Sequence, residues 1–144
     1  MAEKKPQLVD AGSYYKIAND YYEKGNYEKA IENYNMAILL NPLFSEAYFN
    51  RALSYYQMKN YDKAVADYNE AAELDPKNPI IFNNKGDAFY RKQDYTSAIK
   101  DYDKAIMLNP NYLKAYYNRA LSYASLEDYE KAVEDFSKVV QLKP

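Results

Sequence analysis

Aromatic and small side chains recur along this chain in a fixed rhythm. Tyr14, Ala18 and Tyr21 stand at i, i+4 and i+7, as do Tyr48, Ala52 and Tyr55, then Phe82, Gly86 and Phe89, then Tyr116, Ala120 and Tyr123. That spacing gathers each trio onto one face of an α-helix. A second trio follows every first: Ala30, Tyr34 and Ala37, then Ala64, Tyr68 and Ala71, then Ala98, Tyr102 and Ala105, then Ala132, Phe136 and Val139. Small residues let two helix backbones approach closely while aromatic rings fill the remaining gaps, so each pair of trios predicts two helices packed face to face. Between them run "GNYEKA", "KNYDKA", "QDYTSA" and "EDYEKA", in which Asn26, Asn60, Asp94 and Asp128 are suited to cap the second helix. Tyr27, Tyr61, Tyr95 and Tyr129 are placed to pack over that junction. Only the first turn has a glycine, Gly25, before its cap; Lys59, Gln93 and Glu127 occupy that place in the others, where slight strain is expected.

The helix pairs are copies of one unit. Pro42, Pro76, Pro110 and Pro144 fall at intervals of 34 residues, each closing a similar phrase, "AILLNP", "AAELDP", "AIMLNP" or "VVQLKP". Units at 11–44, 45–78, 79–112 and 113–144 follow, with residues 1–10 expected to form a flexible segment ahead of them. A 34-residue helix-turn-helix period with this pattern resembles the tetratricopeptide repeat, over about nine tenths of the chain. The resemblance implies an all-α fold, a right-handed superhelical α-solenoid in which each pair buries its apolar face against the next. It also implies a concave groove lined mainly by the first helix of every unit. The pattern departs from the family where the first helix usually carries leucine: Ile17, Arg51, Lys85 and Arg119 stand there. Their alkyl stems are expected to pack while the charged ends reach solvent or a neighbouring acid.

Composition adds mostly exclusions. A net charge of -2 with alternating lysines and acids supplies no basic field for nucleic acid. No cysteine and no histidine are present, which removes disulfides and the commonest metal ligands, so neither metal nor cofactor is expected. No apolar run approaches a membrane span, and the cytoplasm is the default compartment. The carboxylates fall at exposed helical spacing with no Gly-rich phosphate loop, so no enzyme is expected.

Function is therefore sought in the groove, as a module that binds a protein or peptide partner. Helical phase places Tyr15, Lys16, Asn19 and Tyr22 of the first unit there, with Phe49, Asn50, Leu53 and Tyr56 of the second. Ile80, Asn83, Asn84, Asp87, Tyr90 and Arg91 follow from the third, and Lys114, Tyr117, Asn118 and Leu121 from the fourth. Asn50, Asn84 and Asn118 share one position, and their amides could grip a peptide backbone without regard to sequence. This resembles the asparagine ladder of some tetratricopeptide superhelices; the alternative is that these amides bond a neighbouring helix. Tyr15, Phe49, Tyr56, Tyr90 and Tyr117 would give apolar anchorage.

A branch of the family, the cochaperones, clamps the acidic tail of a heat-shock protein with lysines, asparagines and an arginine. Against that clamp, the first three units match Asn19 and Asn50 but put Tyr15, Ile80 and Asn84 where basic residues belong. The last three match Asn84 and Lys114 but place Phe49, Leu53 and Asn118 wrongly for the clamp. Binding of such a tail is expected to be weak or absent. A further alternative is self-assembly: Val133, Phe136 and Val140 lie where a following helix would pack, so the terminal faces could form a homo-oligomer.

Overall fold

A computed structural model describes residues 8–143, and among these there are eight helices and no strand. The first helices of the four repeats are α1 (Ala11–Glu23), α3 (Ser45–Gln57), α5 (Pro79–Arg91) and α7 (Leu113–Ser125). The second helices are α2 (Tyr27–Leu40), α4 (Tyr61–Leu74), α6 (Tyr95–Leu108) and α8 (Tyr129–Leu142). Of the segment expected ahead of the first repeat, residues 1–7 lie outside the described residues, as does the closing proline at 144. Asp10 caps α1 by accepting from the Ser13 backbone N–H at 2.7 Å.

Each first helix packs on the second helix of its own repeat, and each second helix on the first of the next. The first helices also touch one another, α1 with α3 and α5 with α7, which places them on the inside of the solenoid's curve. Packing obeys the size alternation of the trios. Ala18, Ala30, Ala52, Ala64, Ala98 and Ala120 have no exposed surface, and Tyr34, Tyr68 and Tyr102 are buried between the helices. Gly86 lies so close to Tyr102 that a Cβ would meet the ring's Cε1 at 2.6 Å.

The turns follow their sequence. Asn26, Asn60, Asp94 and Asp128 accept from the backbone N–H of Lys29, Lys63, Ser97 and Lys131 at 3.2 to 3.3 Å. Gly25 has φ 76°, and Lys59, Gln93 and Glu127 are held at φ 60°, 63° and 61° without a glycine's freedom. Tyr27, Tyr61 and Tyr95 meet Tyr22, Tyr56 and Tyr90 edge to face, each with centroids 5.3 Å apart. Tyr129 has Ala124 at the corresponding place and stays 62 % exposed.

The charged residues at the family's leucine position are structural. Arg51 makes a two-pronged contact with Asp67, Nε and Nη2 each at 2.7 Å, while Nη1 reaches Asn35 of the preceding repeat at 2.8 Å. Arg119 repeats this with Asp135 and Asp103, and Lys85 pairs with Asp101 at 3.0 Å and Asn69 at 3.1 Å. Asp67, Asp101 and Asp135 are buried, so each of these carboxylates meets a cation inside the fold. The first repeat dispenses with the pair, carrying Ile17 and Asn33 instead.

Candidate peptide-binding groove

Four columns of side chains run along the inner face, one residue from each first helix. They read Tyr15, Phe49, Asn83, Tyr117, then Lys16, Asn50, Asn84, Asn118, then Asn19, Leu53, Asp87, Leu121, then Tyr22, Tyr56, Tyr90, Ala124. The third column alternates polar and apolar from Asn19 onward, and the first column puts Phe49 and then Asn83 beside it. That alternation decides how each asparagine of the second column is used.

Asn50 faces a polar predecessor. Its Nδ2 donates to Tyr15 Oη at 2.9 Å and to Asn19 Oδ1 at 3.0 Å, and Tyr34 Oη donates to the same Asn19 oxygen at 2.5 Å. Asn118 is the same arrangement two repeats on. Its Nδ2 donates to Asp87 Oδ1 at 3.0 Å and to Asn83 Oδ1 at 3.4 Å, while Tyr102 Oη donates to Asp87 Oδ1 at 2.6 Å. Asn84 faces Phe49 and Leu53, which accept nothing. Its Oδ1 takes a 3.3 Å bond from Asn83 Nδ2, and its Nδ2 has no acceptor among the described residues.

The aromatic candidates divide similarly. Tyr15 leans on Phe44 and Tyr34, with centroids 4.7 and 6.0 Å away, and is half-buried. Phe49 rests on Tyr68 at 5.7 Å and Tyr117 on Phe136 at 5.8 Å, the Tyr117 ring being 46 % exposed. Tyr56 and Tyr90 stand further along the groove, and Tyr56 Oη accepts from Arg91 Nε at 3.1 Å. Lys16, Arg91 and Lys114 are exposed.

Two hollows meet in the middle of this face. One, of about 230 Å³, is lined by Tyr56, Asp87, Tyr90, Arg91, Tyr102, Asn118 and Leu121. The other, of about 110 Å³, is lined by Leu53, Tyr56, Gln57, Tyr68, Asn84 and Asp87. Asp87 belongs to both. It is half-buried, and no lysine or arginine nitrogen among the described residues lies within ion-pairing distance of it. Burial pushes its carboxyl up to about 6, against the opposing pull of the Tyr102 hydrogen bond and of Arg91 and Lys114. Burial also pushes the Tyr68 and Tyr102 hydroxyls up, with Asp87 adding to both.

Helical phase identifies the inner-face residues but not how they are joined. The hydrogen bonds that join one first helix to the next span 31 or 35 residues, so Asn118 looks back to Asp87 and Asn83, and Asn50 to Asn19 and Tyr15. The signal that could have found these bonds is each column compared with the one a repeat earlier. Among the described residues, no group of three or more His, Cys, Asp or Glu is placed to hold a metal ion, and no helix is long and apolar enough to cross a membrane.

At the far end, Val133 and Val140 of α8 are 62 % and 72 % exposed, while Phe136 is half-buried against Tyr117. Their counterparts in inner repeats, Ile31, Val65 and Ile99, and Ile38, Ala72 and Ile106, are half-buried by the helix that follows.

Family models described as tetratricopeptide repeat match residues 15–79 and 113–144, and one described as TPR repeat matches 86–127. No curated protein sequence matches the chain. Among solved structures, a crystal structure of MamA superposes with a TM-score of 0.91 at 21 % identity, covering 94 % of this chain and 79 % of that one. MamA 41-end from Desulfovibrio magneticus RS-1 gives 0.90 at 20 % identity, covering 95 % and 77 %. The first TPR of Spaghetti (RPAP3), bound to the HSP90 peptide SRMEEVD, gives 0.79 at 26 % identity, covering 82 % and 94 %. At these identities the MamA likeness is one of fold.

Proposed function

We propose, from the premise that the chain belongs to the tetratricopeptide repeat family, that it is a non-catalytic interaction module which binds an extended segment of a partner protein in its concave groove. The observation that carries this reading is the middle of the inner face. There, among the described residues, the Asn84 amide donor has no acceptor and the Asp87 carboxylate, held through Oδ1 alone and without a cation, lines adjoining hollows beside Tyr56 and Tyr90. An amide donor suits a peptide carbonyl, and the two tyrosines present flat, rigid anchorage with a polar tip. The RPAP3 domain, of the same fold, holds a peptide.

The bonds within the fold redistribute the anticipated ladder. Asn50 and Asn118 spend their donors on the preceding repeat and stiffen the groove wall, which leaves Asn84 as the amide that meets the ligand. Of the apolar candidates, Tyr56, Tyr90 and the exposed edge of Tyr117 are presented to a ligand, whereas Tyr15 and Phe49 back the wall. Acidic tails fit poorly, because Asp87 stands in the groove and Tyr15, Ile80 and Asn84 occupy places where a carboxylate clamp needs cations.

Selection from a random peptide library displayed on phage tests the proposal, with Asn84→Ala and Tyr90→Ala run beside the parent. Peptides that bind the parent should lose at least about ten-fold in affinity with either variant, as loss of a central interface anchor does. No selected peptide, or peptides indifferent to both changes, would remove the groove reading.

Val133 and Val140 favour a second reading, pairing of two copies through α8. The opposite face of the solenoid is less apolar: Ser13 and Asp20 of α1 are exposed where Ala47 and Ser54, Ile81 and Ala88, or Ala115 and Ser122 are buried, with Ile17, 41 % exposed, between them. The more apolar face is that of α8, so the expected contact is two-fold, α8 against α8. Light scattering across a concentration series decides it: a dimer abolished by Val133→Glu supports the pairing, and a strict monomer at high concentration removes it.

A further inference from the structure

Asp87 is out of keeping with the other carboxylates inside this fold. Asp67, Asp101 and Asp135 each meet an arginine or lysine of their own repeat. Asp87 meets only neutral donors, the Tyr102 hydroxyl and the Asn118 amide, both on Oδ1. Oδ2 has no partner among the described residues, and the residue lines the central hollow.

The fold does not require a negative charge at this place. Asn19, two repeats earlier in the same column, accepts from Tyr34 and Asn50 through an amide oxygen, in the arrangement Asp87 makes with Tyr102 and Asn118. Leu53 and Leu121 occupy the position in the remaining repeats. An acceptor, or no polar group at all, therefore satisfies the architecture, and the charge at 87 is left over.

Three phenol rings, Tyr56, Tyr90 and Tyr102, line the hollow together with Asp87. Aromatic faces beside a desolvated carboxylate attract a cation by two additive routes, the ring quadrupole and the full charge. Arg91 is the nearest candidate from this chain, one helical turn from Asp87, but its Nε is held by Tyr56 Oη and the side chain is exposed. The volume, about 230 Å³, is below the roughly 300 Å³ at which hollows for drug-sized ligands begin, and it suits a single side chain.

We infer that the Asp87 hollow is a subsite for one basic side chain, lysine or arginine, of the bound segment, so that the groove selects partners carrying a cation at that point. The inference rests on the groove reading above and gives it a ligand chemistry. The carboxylate forms the ion pair through Oδ2 while Oδ1 keeps its two internal donors, and Tyr56 and Tyr90 flank the alkyl stem. Arg91 sits at the rim as a like charge that any incoming cation must pass.

The test is a nuclear magnetic resonance titration of the isotope-labelled full chain with N-acetyl-arginine amide and N-acetyl-lysine amide, with N-acetyl-glutamine amide as the neutral control. At about pH 8 the Asp87 carboxyl carbon and the Asn118 side-chain amide should shift saturably with a basic probe, at least about ten-fold more tightly than with the control. The response should vanish in Asp87→Asn and weaken by up to about ten-fold at about pH 5, where a carboxyl pushed up to about 6 has mostly taken up a proton. The other charged or titratable side chains around the carboxyl are Tyr68 of α4, Tyr56, Tyr90, Tyr102 and Tyr112, with Arg91 and Lys114. No other carboxyl and no imidazole is among them. Arg91→Gln should tighten the basic probes. Equal responses to basic and neutral probes, or a response that survives in Asp87→Asn, would overturn the inference. The phage selection separates the subsite from the groove. Groove-binding peptides with no enrichment of lysine or arginine sink the subsite alone, whereas an absence of peptides sinks the groove.

Discussion

Replacing Asp87 by asparagine should make this protein more stable at neutral pH. The carboxyl is pushed up to about 6 from an ordinary 3.8, chiefly by burial. Raising a carboxyl's pKa by one costs its ionised form about 1.4 kcal/mol, so holding the charge in the fold costs about 3 kcal/mol, and water entering the groove makes that a ceiling. The sign follows from proton uptake. Because the folded value lies above the unfolded one, the folded state binds the proton more tightly, and the stability that proton confers is full below about 3.8 and lost as pH rises through about 6. Asparagine carries no charge to desolvate and keeps an oxygen for Tyr102 and Asn118, as Asn19 does for Tyr34 and Asn50. Urea denaturation followed by circular dichroism at about pH 7.5 and pH 4 should show Asp87→Asn more stable by about 1 to 3 kcal/mol at the higher pH. The gain should shrink below about 1 kcal/mol at the lower one. A variant less stable than the parent at about pH 7.5, or a difference of the same size at both pH values, would refute the claim that Asp87 is a charge the fold tolerates rather than uses.

Gly86→Ala places a methyl group 2.6 Å from Cε1 of Tyr102, so overpacking of about 1 to 3 kcal/mol should outweigh the helix-propensity gain of about 1 kcal/mol. A net loss in urea midpoint and a weakened Tyr102 bond to Asp87, read as a change in that carboxyl's titration, are expected. Arg119→Ile leaves Asp135 buried without its cation and should cost about 3 to 5 kcal/mol. Adding Asp135→Asn should recover most of that loss, since the first repeat folds with Ile17 and Asn33 at the matching places; a double variant no better than the single would contradict this. Gln93→Gly relieves a residue held at φ 63° and should raise stability by about 0.5 to 1 kcal/mol in thermal denaturation, with no change in peptide binding.

The frame is legible in the sequence because every helix pair solves the same packing problem, and a problem solved four times leaves a period. Ala18 with Tyr34, Ala52 with Tyr68 and Gly86 with Tyr102 are local solutions separated by 16 residues, well inside one repeat. The caps at Asn26, Asn60, Asp94 and Asp128 act over three residues, and the strained turns at Lys59, Gln93 and Glu127 over one, so their roles too follow from local sequence. The groove is harder to read, because what a groove residue does depends on a neighbour 31 or 35 residues earlier. Three asparagines in one column look equivalent, yet Asn50 and Asn118 are internal struts and only Asn84 retains an open donor. The difference lies in Phe49 and Leu53, not in Asn84 itself. A column read alone records what the repeats share, and shared residues mostly hold the repeats together. The proposed binding chemistry is sought instead where neighbours disagree: an amide set against Leu53 of the adjacent column, or a carboxylate in a column where Asn19 shows that an amide would do. On that reasoning the proposed specificity of this module would reside in the second and third repeats, at the one stretch of the inner face where, among the described residues, the fold leaves a hydrogen-bond donor and a negative charge unmatched.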